Sequence, residues 1–168
     1  GDGRMDHATV WADDLPACYG LVPARDGVIV LCAPDIVYLG DRDGDGQAEV
    51  RETLFTGFGV GELWTRISNP RWGVDNWIYA ANGHGSAGTI RGPHLANSVQ
   101  LGNTSFRFKP DGSAFEQFSS KNGNTWGLET TWDGQVFWTQ PTSGTVFFHS
   151  VLPESVLGLI TDDEHHIS

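Results

Sequence analysis

The stretch from Asp41 to Glu52 reads Asp-Arg-Asp-Gly-Asp-Gly-Gln-Ala-Glu-Val-Arg-Glu, with carboxylates at positions 1, 3, 5, 9 and 12 and Gly46 at position 6. That spacing matches the oxygen-ligand calcium loop, in which spaced carboxylates, one main-chain carbonyl and a terminal bidentate Glu surround the ion. Asp41, Asp43, Asp45, Glu49 and Glu52 are the expected carboxylate ligands, and Gln47 occupies the position that supplies the main-chain oxygen. So many like charges in one short loop repel each other, and Arg42 and Arg51 offset only part of that charge. A hard divalent cation resolves the conflict, while Gly44 and Gly46 permit a tight backbone curl. The competing reading is a solvated acidic turn that holds no ion.

The flanks of the loop restrict the fold. A regulatory helix–loop–helix site would place amphipathic helices on both sides. Here Asp35–Gly40 precedes the loop and Thr53–Thr56 follows it, both short, β-branched or aromatic, and bounded by Pro or Gly. These read as strands, so the ion is expected to pin a strand-loop-strand connection in a structural role.

The rest of the chain is consistent with an all-β reading. Many short apolar runs are separated by Gly, Asp, Asn and Pro, and glycine reaches 22 of 168 residues. A net charge of −11 argues against nucleic acid and against an anionic membrane surface. No apolar run approaches the roughly 18–20 residues needed to span a bilayer. Cys18 and Cys32 flank a hairpin expected near Arg25. If Pro23 pairs with Gly27, the two cysteines fall opposite each other, either as a disulfide or as small apolar residues on neighbouring strands. A disulfide would indicate an oxidising compartment.

A weak repeat runs through the sequence. Gly1–Asp6 followed by Thr9–Trp11 resembles Gly44–Glu49 followed by Thr53–Phe55, offset by 43 to 44 residues, the length of one four-stranded propeller blade. Turns at Asp26-Gly27, Asp75-Asn76 and Asp133-Gly134 each lead into an alternating strand, and Pro110-Asp-Gly112 joins Ser105–Phe108 to Ala114–Phe118. Alternation sets Phe106 and Phe108 on one face and Arg107 on the other. Residues 83–103, containing His84, Arg91 and His94, read as a long inserted loop. The expected fold is a partial β-propeller of about three to four four-stranded antiparallel blades over residues 1–150, with 151–168 as a polar exit or the start of the next blade.

Several strings carry a resemblance to a known family: Ala33–Leu39 ahead of the acidic loop, Leu54–Gly59, Asn69–Gly83, Phe106–Gly112, Asn124–Leu128 and His149–Glu154. Together they resemble the membrane-bound dehydrogenases, bacterial multidomain proteins with an N-terminal propeller related to the soluble quinoprotein glucose/sorbosone dehydrogenases. The resemblance implies a six-bladed, exported propeller, periplasmic or extracellular, that oxidises a sugar or other alcohol with calcium and PQQ. It implies as partners the remaining blades and a cytochrome c domain of the parent chain. No Cys-x-x-Cys-His occurs, so no covalent haem is expected in this segment.

The resemblance implies a His base and an Arg-Asn pair at the quinone. Matching around Arg71 places Ile67 where the base would stand, and Gly123 stands where Arg would precede Asn124. Arg71 and His84 remain as catalytic candidates, and Asn124 as the cofactor-binding candidate. For Arg71 the alternative is an ion pair or cation-π contact within the sheet, and for His84 a solvated loop residue. The rival function is a non-catalytic propeller binding carbohydrate or protein. The seven tryptophans are expected to fill the space between blades rather than to stack on sugars.

Overall fold

The computed structural model describes residues 3–119, 124–141 and, as backbone alone, 147–150. Residues 151–168, assigned above to an exit or a further blade, lie outside the described residues. The fold is all-β. Its only helical element among the described residues is a single 3₁₀ turn at Leu63–Thr65.

Strands β1 (Leu21–Ala24), β2 (Gly27–Cys32), β3 (Asp35–Gly40) and β4 (Val50–Thr56) form a four-stranded antiparallel meander in chain order. The second four-stranded sheet comprises β5 (Ile67–Trp72), β6 (Ile78–Asn82), β9 (Ser105–Phe108) and β10 (Phe115–Gln117), again in chain order across the sheet. A third sheet has three strands: β11 (Leu128–Thr130), β12 (Val136–Thr139) and β13 (Phe147–Ser150). The described residues therefore carry two complete four-stranded sheets, fewer than the three to four expected. The first strands of the three sheets, β1, β5 and β11, lie side by side.

The expected loop over residues 83–103 is instead built around a two-stranded ribbon, β7 (Gly88–Ile90) paired with β8 (Val99–Leu101). Burial explains the difference. Ile90 and Leu101 enter the main core, and Thr56 and Arg91 form an antiparallel bridge that ties the ribbon to the end of β4.

Period-two alternation decides the packing. On the first sheet, Ile29, Leu31, Ile36 and Tyr38 point to the main core, while Val30, Cys32 and Leu39 point the other way beneath Trp11, Ala12 and Leu15. On the second sheet, Ile78, Ala80, Phe106 and Phe108 face the first sheet, while Tyr79 and Ala81 face Leu128, Val136 and Trp138 of the third. Both faces of the middle sheet are thus buried. Five phenylalanines (Phe55, Phe58, Phe106, Phe108 and Phe115) fill the space between the first two sheets, with ring centroids 5.2–6.2 Å apart.

Arg107 occupies the face opposite Phe106 and Phe108, as alternation requires. Its guanidinium donates to Glu116 Oε2 at 2.8 and 3.0 Å and to Tyr79 Oη at 3.1 Å, and it lies 4.4 Å from the Trp77 ring centroid. Burial is the main cause raising the Tyr79 phenol above its ordinary pKa.

The hairpin register differs by one residue from the expected one. Ala24 pairs with Gly27 and Pro23 with Val28, because the turn holds two residues, Arg25 and Asp26, with Arg25 at φ 58°. Upstream of β1 the offset is absorbed: Tyr19 and Gly20 both bond to Leu31, and Cys18 and Cys32 form a disulfide with Cα atoms 4.2 Å apart.

Truncating Phe106→Ala should destabilise the chain by about 3–5 kcal/mol, because the ring is fully buried among four others. Urea unfolding reads the change, and a loss below about 1 kcal/mol would contradict this packing.

Candidate functional site

The acidic loop lies between β3 and β4, two strands, as its flanks predict. Gly44 and Gly46 take φ of 76° and 89°, and a Cβ at either would meet nothing within 4 Å. Backbone conformation, not crowding, therefore requires glycine there. Main-chain amides gather the carboxylates: Gly44 and Gly46 donate to the two oxygens of Asp41 at 2.7 and 2.9 Å, and Arg42 donates to Glu49 Oε1 at 2.8 Å. Asp41, Asp43 and Glu49 each bring an oxygen within 4.8 Å of the others.

The remaining expected ligands are placed differently. Asp45 accepts from the Gln47 amide at 2.8 Å and stands outside the cluster of three. Glu52 is part of β4, where its carboxylate takes Arg25 Nη1 at 2.7 Å and lies 3.7 Å from His94 Nε2. A strand that begins at Val50 carries position 12 onto the sheet, away from the loop. Arg51 does not neutralise the cluster either, since its guanidinium binds the carbonyl and carboxylate of Asp13 at 2.7 and 3.2 Å.

Next to the loop, Asp26 accepts a hydrogen bond from the Tyr38 hydroxyl. That bond, assisted by a main-chain amide and by nearby Arg25 and Arg42, lowers the Asp26 pKa, and it raises the pKa of Tyr38.

A second feature crosses the first strands of the three sheets. Between Ser68 and Arg71 the register of β5 against β6 shifts, leaving Asn69 at φ 57° and Pro70 as a bulge. The Asn69 amide donates to the Leu128 carbonyl at 2.6 Å, linking β5 to β11. On the other side Gly20 meets Pro70 so closely that a Cβ would lie 2.3 Å from Pro70 Cδ. These contacts shape a groove of about 500 Å³ lined by Tyr19, Trp64, Arg66, Asn69, Arg71 and Trp126 among others.

The groove corrects the expected role of tryptophan. Trp64 and Trp126 are 62% and 41% exposed, and Trp132 is 91% exposed. Phenylalanine rather than tryptophan fills the main interior, although Trp138 and Trp77 do pack between the second and third sheets.

Arg71 lies at the groove in an ion pair with Glu129, Nε to Oε2 3.0 Å, and also donates to the Pro70 carbonyl. His84 Nε2 lies 3.4 Å from Glu62 Oε2 on an exposed loop. Asn124 is buried, and among the described residues its Oδ1 has no hydrogen-bond partner; it packs against Gly83, the neighbour of His84. The structure therefore brings Asn124 close to the His84 loop and leaves Arg71 engaged elsewhere. Ile67, at the position matched to a catalytic base, is fully buried in β5.

The structure thus defines a class: an all-β chain of successive antiparallel sheets with an acidic inter-strand loop and an aromatic groove across its first strands. The chain belongs to the DUF7133 family, a domain of unknown function, whose model matches residues 1–166. Neither the curated proteins nor the solved structures contain a match.

Replacing Tyr38→Phe should raise the Asp26 pKa toward the ordinary carboxylate value of about 3.9. Because the folded-state pKa is depressed, this contact stabilises the fold above the unfolded pKa and its contribution disappears as pH falls through the folded value. A carboxyl NMR titration measures the shift; an unchanged Asp26 curve in the variant would exclude the contact.

Proposed function

We propose that this chain is an arc of an exported, calcium-stapled β-propeller whose described sheets serve ligand binding rather than oxidation. Successive four-stranded meanders with first strands side by side support the propeller, since that is how blades pack around a central axis. The Cys18–Cys32 disulfide supports an exported, periplasmic or extracellular setting. Asp41, Asp43 and Glu49 would hold the calcium, which would screen their mutual repulsion and fix the turn between β3 and β4.

The observation that carries binding over catalysis is the state of the two groups that hydride transfer to a quinone needs. A base must take the alcohol proton, and a cation must face the reduced quinone. Ile67 stands in place of the base, Gly123 stands where the quinone-holding Arg would precede Asn124, and Arg71 is already paired with Glu129. The residues present do not fit PQQ. The matching strings, above all Asn69–Gly83 and Asn124–Leu128, favour a second reading, that of a dehydrogenase. On that reading the oxidising site lies in this chain and the cytochrome c partner belongs to another part of the parent protein.

Two measurements test this. Removing calcium with a chelator should lower the melting temperature, and calcium should restore it; at a hundredfold excess over Kd the gain corresponds to about 2.7 kcal/mol. Asp43→Asn should blunt that response, and a melting temperature indifferent to chelator would remove the staple. With PQQ, calcium and a panel of sugars, the chain should reduce no electron-acceptor dye. Turnover there would replace the binding reading with the dehydrogenase one.

A further inference from the structure

Charge distribution around the groove is opposite to that of the chain. The sequence carries 21 acidic residues against 10 Lys and Arg, yet the lining includes Arg66 and Arg71 and no Asp or Glu. Glu129 neutralises Arg71 from the side. Arg66 is different: its hydrogen bonds, at 3.1–3.2 Å, run from Nε and Nη2 to the neutral carbonyls of Val60 and Gly61. Those contacts fix the guanidinium in place without cancelling its charge, and among the described residues no carboxylate pairs with it.

The aromatic residues add a second requirement. Trp64 and Trp126 are 62% and 41% exposed on the same groove, so a ligand that covers them removes indole surface from water. Tyr19 and the Asn69 bulge add polar groups close by. A flat apolar face together with one fixed cation selects a ligand that has a broad C–H face and an anionic substituent on the same ring. The guanidinium fork suits a carboxylate or sulfate in two-point contact.

Resting on the binding reading above, we propose that this groove binds an acidic pyranose, a uronate or a sulfated sugar within a glycan. The sugar ring stacks on Trp64 or Trp126, and its anionic group pairs with Arg66. A nucleic acid would also stack and carry anions, but it bears a phosphate on every residue. A chain of net charge −11 repels such a polyanion more strongly than it repels a single charged ring.

The test uses the full, calcium-saturated chain, with calorimetry and indole fluorescence. The probes are a short glucuronate oligosaccharide, a sulfated galactose oligosaccharide, a neutral glucose oligosaccharide and an adenine nucleotide. At least one acidic sugar should bind about tenfold or more tightly than the neutral one, and added salt should weaken it. Trp64→Ala and Trp126→Ala should each weaken binding several-fold. Arg66→Gln should abolish the preference for acidic sugars, and Arg66→Lys, which keeps the positive charge, should restore part of it. Equal affinity for the neutral sugar overturns the acidic assignment but leaves the binding reading standing. Preference for the nucleotide overturns the glycan. Absence of all sugar binding overturns this inference, and dye reduction with PQQ in the same samples then decides whether the binding reading fails with it.

Discussion

Burial of both faces of the second sheet is the constraint on which the rest of the structure depends. A strand whose residues alternate Ile78, Tyr79, Ala80, Ala81 has no solvent face to offer, so it requires a sheet on each side. The five-phenylalanine layer meets that need toward the first sheet, and Tyr79, Phe118 and Trp138 meet it toward the third. Arg107 can sit within this second layer only because Glu116, Tyr79, Asp75 and the Trp77 ring together satisfy its charge. Once the three sheets are stacked in this way, their first strands must come together, and the groove is a consequence of that meeting.

Local features of this architecture were readable from residues alone. Strands β3 and β9 fall where β-branched and aromatic alternation placed them, and the Asp-Gly turns do bound strands. The glycines of the acidic loop adopt the positive φ that their spacing suggested. In each case the information lies within a few adjacent residues. The one-residue error in the hairpin shows the limit of this: pairing register depends on how many residues the turn holds, and Arg25 at positive φ is not signalled by its type.

What could not be read depends on distant chain segments. Ile90 and Leu101 look like isolated apolar residues in a glycine-rich stretch until β4 is beside them. The spacing of Glu52 fits a metal ligand, but strand pairing with Tyr38 and the nearness of Arg25 give it another partner. Tryptophan was the most misleading residue. Its size suggests the interior, but phenylalanines already fill the main layer, and no local pattern marks Trp64 or Trp126 as exposed. Arg71 illustrates the same point, since nothing near it in sequence announces Glu129.

The Asn69 bulge joins matters that would otherwise be separate. One side-chain amide holds the second sheet to the third, while the same distorted backbone forms the floor of the groove. Shape at the floor and docking of the third sheet are therefore thermodynamically linked, and linkage is reciprocal. A ligand that tightened the seam between those sheets would in turn be weakened, by the same factor, when the seam is loosened.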